Sequence, residues 1–369
     1  MNTLANRVSA LLRPEVLALS AYHVQDASGY IKLDAMENPH PWPEAMIDEW
    51  LEVLREAALN RYPDPAARRL HEALRSSGGV PDEAGLVLGN GSDELIQIIL
   101  MAVAGSGRPV LAPEPTFVMY RQIALSLGLP FTGVPLRKAD FGLDMPAMRA
   151  AIRDRQPAVV FLAYPNNPTG NQFAAADVEE IIALTPGLVV VDEAYSPFAD
   201  DSFMSRIPRF DNLLVMRTLS KWGLAGLRLG YLAGHPAWME QLEKLRLPYN
   251  INVLTQISAE FALAKQSVFD GQVESIRRER GRLGDALAGF GLVRVYPSQA
   301  NFLTFRLLSD DANAVFAALK DQGILVKNLN AAGGLLSGCL RVTVGTAEEN
   351  QQFIAALRSV LSGCQHGVS

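Results

Sequence analysis

Cysteine is scarce in this chain. Only Cys339 and Cys364 occur among 369 residues, with neither the spacing of a zinc site nor the repeated framework of a disulfide-stapled domain. An excess of charge of one sign is missing too. A formal net charge of -6 leaves no basic footprint for nucleic acid or anionic lipid, so any phosphate must be met by a few local groups. No apolar run reaches the roughly 18 residues of a membrane helix, since even VEEIIALTPGLVVV is broken by Thr, Pro and Gly. MNTLANRVSALLRPEV carries too short an apolar stretch before Arg13 and Pro14 to read as a signal peptide. A reducing cytoplasm is the expected compartment. Repeats of roughly 20 to 50 residues and low-complexity segments are absent. The histidines, among them His23, His40, His71 and His235, show no pairing suited to a metal or a nucleophile.

What is present is apolar residue: 49% of the chain against 20% charged, enough for one large core and a smaller second one. From about Gly85 to Gly234, β-rich runs alternate with segments of helical period: LVLGN, SDELIQIILMAVAG, PVLAP, FVMYRQIALSLG, then AVVFLAYP, VEEIIALT, LVVVDEAY, LLVMRTLS and LRLGYLAG. Strands apolar on successive residues are buried on both faces, which predicts a mostly parallel α/β sheet flanked by helices. After about Asn252 the pattern changes to long helices, GLVRVYPSQANFLTFRLL, the helix ANAVFAALKDQG and CLRVTVG before a last helix, as in a smaller α+β domain. The expected division is a large domain over 40–255, with 1–39 and 256–369 forming the small one. The segment from Leu11 to about Pro43, rich in Pro and Tyr, is expected to be irregular and to lie over other parts of the protein.

Open parallel sheets carry their chemistry in the loops beyond the strands' carboxyl ends, and the polar clusters GNGSDE, YPNNPTG, DEAYSP and TLSKWG fall there. Lys221, among Ser, Thr and Arg, reads either as a surface charge or as the imine-forming amine for an anionic cofactor. Asp192 follows LVVV, so a strand delivers its carboxylate to a loop, either to cap backbone amides or to hold a proton on a pyridine nitrogen. Glu193 is its rival. Tyr195 could donate to a phenolic oxygen of the same ring, and YPNNPTG reads either as a plain turn or as a turn presenting the Asn167 amide there. In GNGSDELIQ, Gly91 permits a tight turn, Ser92 is expected as the N-cap, and Asp93 and Glu94 sit in the first helical turn. Such a helix start can also bind phosphate; the glycine spacing and lysine of dinucleotide and triphosphate loops are missing.

Taken in order, NNPTG, DEAY, the Ser-Lys pair and the following Arg resemble the fold type I pyridoxal-phosphate aminotransferases, and along nearly the whole chain the histidinol-phosphate aminotransferase family. The resemblance implies that Lys221 bonds the aldehyde of pyridoxal 5'-phosphate, Asp192 pairs with the ring nitrogen, and Asn167 and Tyr195 contact the ring oxygen. Phe117 would stack on the ring where the family usually has Tyr. Ser220, Arg228 and the backbone of Ser92 and Asp93 would hold the phosphate, with Tyr62 of RYPDP reaching in from a partner subunit, which implies a homodimer; Thr218 is a further cofactor-binding residue. LSKWGLAGLR is one residue shorter between Lys and Arg than in many relatives.

The segments SAYHVQDASGYIKLDAMENPHPWP, LNRYPDP and SGCLRVTVGTAEEN carry the likeness to the histidinol-phosphate branch. Arg341 matches the arginine that receives the substrate's acidic end, phosphate or carboxylate. Tyr22 matches a tyrosine near the substrate phosphate, and Lys327 stands where relatives often have Arg. The implied reaction is a ping-pong transamination between histidinol phosphate and 2-oxoglutarate, with Lys221 moving a proton. An aromatic or broad-specificity aminotransferase is the nearest rival, a phosphoamino-acid decarboxylase of similar fold the next. A cofactor-binding regulator is remote, because no DNA-reading element is present.

Overall fold

The computed structural model describes residues 3–21, 25–308 and 311–365, with side chains to Ser362. Strand β1 (Ile31–Lys32) is short. The large sheet is built from β2 (Gly85–Gly89), β3 (Val110–Glu114), β4 (Phe131–Pro135), β5 (Val159–Ala163), β6 (Leu188–Asp192), β7 (Leu213–Thr218) and β8 (Gly230–Gly234). Their spatial order is β2-β8-β7-β6-β5-β3-β4. Only β8 runs against its neighbours, β2 and β7; the remaining pairings are parallel.

The continuous apolar runs are explained by two cores, one on each face. Val160 and Leu162 of β5 and Val189 and Val191 of β6 enter one core, whereas Val159, Phe161, Leu188 and Val190 enter the other. Every residue of both strands is buried. Truncating one such side chain, Phe161→Ala for example, costs about 3–5 kcal/mol through lost burial and the cavity left behind.

The smaller sheet is antiparallel, β12-β13-β10-β9, from β9 (Val293–Val295), β10 (Phe302–Leu307), β12 (Lys327–Asn328) and β13 (Cys339–Thr343). Strand β11 (Ile324–Leu325) pairs in parallel with β1. That pairing ties the N-terminal segment to the C-terminal part of the chain. The stretch from Leu11 to Pro43 is not wholly irregular: it contains the helix Pro14–Leu17 as well as β1. Beyond β1, Thr343 donates its amide to Leu33 O over 2.8 Å, so residues 34–37 are led across the end of the large sheet. Among the described residues no helix is long and apolar enough to cross a membrane.

Candidate active site

Parallel strands β5, β6 and β7 end side by side, and each gives its last residues to one cavity of about 340 Å³. Ala163, Pro165 and Asn167 come from β5 and its loop, Asp192 and Tyr195 from β6, Thr218, Ser220 and Lys221 from β7. Ser92 and Asp93 arrive from the helix Gly91–Val103, Phe117 from the loop after β3, Arg228 from the stretch before β8, and Ala35, Met36 and Glu37 from the N-terminal segment.

Each local fold has a physical reason. Asp192 closes a strand whose four preceding residues are apolar and buried, so its carboxylate is carried into the interior with them. The adjacent Glu193 points elsewhere. It is fully buried, pairs with Arg217 at 2.9 Å and accepts from Ser202 Oγ and the Phe203 amide, which answers the choice between the two carboxylates on placement: only Asp192 lines the cavity. Gly91 has φ +78, and a Cβ there would lie 2.8 Å from Arg228 Nη2, so both the turn and the close approach require glycine. The expectation that Ser92 caps this helix is corrected. Asn90 is the N-cap, without a side-chain cap bond, and Ser92 lies inside the first turn. The Glu94 carboxylate instead reaches back to accept from the Asn90 amide at 2.6 Å, as the returning acid of a capping box does but from one position further into the helix.

Lys221 sits in a π-helical turn, Ser220–Leu224, followed by a 3-10 turn and Arg228 at φ +51. Its Nζ donates to Ala35 O at 3.1 Å. Thr218 Oγ1 and Ser220 Oγ lie 2.9 Å apart, Arg228 Nη1 approaches Ser220 Oγ at 3.4 Å, and Arg228 meets Asp93 at 3.7 Å. Asp93 Oδ1 is buried with no hydrogen-bond partner among the described residues. Burial raises the Asp93 carboxyl above its ordinary range, against the pull of Arg228 and Lys221. Burial likewise pushes Asp192 up to about 6, although hydrogen bonds from Tyr120 and the Ala194 amide favour its ionised form. Burial, then the nearby Arg341 guanidinium, brings Lys221 down to about 8, with Glu37 opposing. An acid and an amine with such displaced values, lining one cavity, form a reactive pair of the kind chemistry needs.

A second hollow of about 600 Å³ shares Met36, Phe117 and Asn167 with the first and is lined by Lys327 and Arg341. These two are register partners on β12 and β13. Arg341 Nη2 donates to Asp34 O at 2.9 Å, and its guanidinium lies 5.1 Å from the Phe302 ring centroid. Tyr62 is not drawn into either hollow: it is 80% exposed and stacks on Tyr249 with ring centroids 4.4 Å apart. Tyr22 lies outside the described residues.

Sequence reasoning passed over Tyr120, whose hydroxyl donates to Asp192 Oδ2 at 2.5 Å in a fully buried setting. It also gave no role to Ala35, Met36 and Glu37. Nothing local marks either: only tertiary structure shows what the Tyr120 hydroxyl meets, and Ala35, Met36 and Glu37 are brought here by the β1–β11 pairing together with bonds to Thr343 and Asn301.

The class I and II aminotransferase family matches residues 28–357. The chain is 58% identical over 354 residues to histidinol-phosphate aminotransferase 2 of Nitrosococcus oceani, covering 96% of this chain and 98% of that one. It is 53% identical to the histidinol-phosphate aminotransferase of Chromobacterium violaceum, covering 95% and 98%. In structure it is similar to the histidinol-phosphate aminotransferase of Sinorhizobium meliloti in complex with pyridoxal-5'-phosphate, with a TM-score of 0.84, 26% identity, and 96% and 98% of the two chains covered. The α/β fold with its mostly parallel sheet is that of fold type I aminotransferases, and the chain belongs to the class I and II aminotransferase family.

Proposed function

We propose that this enzyme is a histidinol-phosphate aminotransferase that exchanges the amino group of histidinol phosphate with 2-oxoglutarate, giving imidazole acetol phosphate and glutamate. The observation that carries the reading is the continuity of two hollows through Met36, Phe117 and Asn167. One contains a low-pKa amine and a buried acid, the other a lysine beside an arginine.

The first hollow fits pyridoxal 5'-phosphate. The orphaned Asp93 Oδ1, the close approach of Gly91 to Arg228, and the Ser220 and Thr218 hydroxyls make a polar corner, and the helix start at Gly91 adds amide donors for a phosphate. Asp192 would hold the ring nitrogen, Asn167 and Tyr195 the ring oxygen, and Phe117 one ring face. When bound, the cofactor supplies an aldehyde that bonds amines and a cationic ring that draws electrons from the substrate's Cα. Lys221 Nζ, half-buried and near its titration point at neutral pH, would carry the proton from that Cα to the cofactor's aldehyde carbon, the transfer on which movement of the amino group depends. Arg341 grips the acidic end of either substrate, because its planar fork suits phosphate and carboxylate alike. Lys327 adds a point charge beside it, and Tyr22 is assigned to the same phosphate by family resemblance alone.

The enzyme acts, on this reading, as a homodimer in the cytoplasm, with Tyr62 completing the partner's phosphate corner. Its exposure and its stacking on Tyr249, itself 40% exposed, support a contact surface. The free thiol of Cys339 suits a reducing compartment. Residues 40–255 would form the cofactor-binding domain, with 1–39 and 256–369 as the small one; the large sheet lies within 85–234 and the small sheet within 293–343. The test is glutamate formation from 2-oxoglutarate by purified protein supplied with pyridoxal phosphate and histidinol phosphate. Turnover is expected with histidinol phosphate above phenylalanine; phosphothreonine decarboxylation, or a preference for phenylalanine, would overturn the substrate reading.

A further inference from the structure

Tyr120 lines neither hollow, yet its hydroxyl spends its one proton on Asp192. The ring is fixed from three sides. Its own helix, Val118–Ser126, buries it completely; Phe161 of β5 stacks on it at 4.6 Å with planes 10° apart; and it meets Phe117 edge-on at 5.5 Å. A tyrosine so held has one hydroxyl direction available, and the carboxylate of Asp192 must take up the matching one. Asp192 Oδ1 accepts the Ala194 amide at 3.1 Å, so each carboxylate oxygen has one fixed donor, and the lone pairs left over face the cavity.

We propose that Tyr120 is a positioning residue for the cofactor ring: its hydroxyl orients Asp192 against the ring nitrogen while its ring edge seats Phe117 against the ring face. The inference rests on the reading of the first hollow as the pyridoxal phosphate site. The two functions differ in their electrostatics. Seating Phe117 is packing and does not depend on pH. Donation to Asp192 stabilises the ionised carboxylate, so losing it raises the acid's pKa and shifts cofactor binding with it. The other titratable and charged groups around Asp192 are Glu193 beside it, Asp93 from the helix Gly91–Val103, and Tyr195 from its own loop. Lys221 and Arg228 line the same cavity. All of these stay in place when only the Tyr120 hydroxyl is removed, so a difference between variants isolates the hydroxyl.

The experiment is equilibrium dialysis of the holoenzyme over a pH series, reading the dissociation constant of pyridoxal phosphate for wild type and Tyr120→Phe. Wild type is expected to lose affinity as pH falls through the titration of Asp192. In Tyr120→Phe that break moves upward by about one pH unit, with affinity on the order of tenfold weaker near it, the size of a lost hydrogen bond to a charged group. Replacing Tyr120 by 3-fluorotyrosine, a stronger donor of nearly the same shape, moves the break downward and keeps the test available should the Phe variant fold poorly. Breaks at the wild-type pH in both variants, or affinity lowered equally at every pH, would overturn the positioning role. Failure of wild type itself to retain pyridoxal phosphate would instead refute the cofactor reading.

Discussion

Arg341 Nη1 donates to Asn167 Oδ1 across 2.6 Å, joining a side chain of the second hollow to one shared with the first. Because a guanidinium has no acceptor, the bond fixes the Asn167 carbonyl toward Arg341 and turns its NH₂ group away. With the roles proposed for the two side chains, recognition of an acidic substrate end and orientation of the ring-oxygen contact would be mechanically linked.

Arg341→Ala is accordingly expected to raise KM for both the phosphate and the dicarboxylate substrate, with kcat/KM falling on the order of 100-fold. Arg341→Lys recovers only part, since an ammonium cannot supply the fork. Steady-state kinetics in both directions check this; an unchanged KM for either substrate counts against the role.

Asp192 and Glu193 are neighbours with opposite expected phenotypes. In the cofactor-free protein the Asp192 pKa lies near 6, above the usual 3.8. The folded state therefore binds more protons than the unfolded between those values, and stability falls as pH rises from about 4 to about 6, on the order of 3 kcal/mol in all. Asp192→Asn removes that cost: its apoprotein melts higher than wild type at pH 7, equally at pH 4, and retains less cofactor.

Glu193→Ala strands the Arg217 guanidinium in the interior and costs about 3–5 kcal/mol of stability. Glu193→Gln keeps a hydrogen-bonding group and costs less. Thermal melts read the difference, and residual folded enzyme should keep its KM values.

Gly91→Ala combines a positive-φ penalty of about 1 kcal/mol or more with displacement of Arg228. Cofactor dissociation on the order of tenfold faster is expected, measured by dilution and fluorescence. A rate equal to wild type would remove Arg228 from the phosphate corner.

The homodimer reading predicts complementation. Lys221→Ala and Tyr62→Ala proteins, each weakly active or inactive, regain activity when unfolded together and refolded, because a hybrid dimer contains one site with both native side chains. No recovery would place Tyr62 outside the partner's site.

The large sheet was legible because burial on both faces writes continuous apolar runs such as VVFLA and LVVVD into the sequence, and the strand ends then locate the loops. Asp192, Lys221 and Asn167 came together from that rule plus motif order. Glu37 and Met36 were not legible, since a two-residue strand and its distant partner Ile324–Leu325 carry too little pattern to announce a pairing. Ser92 was misread as a cap because the composition rule ignores Glu94, whose carboxylate satisfies the Asn90 amide first. Tyr120 was hidden for a different reason: on an amphipathic helix a buried tyrosine reads as core, and only tertiary structure shows what its hydroxyl meets.

The central claim is tested most directly by reducing the holoenzyme with borohydride and mapping the modified lysine by peptide mass. The added cofactor mass is expected on the peptide containing Lys221 and nowhere else; attachment to a different lysine, or none under conditions where the enzyme turns over, would contradict it.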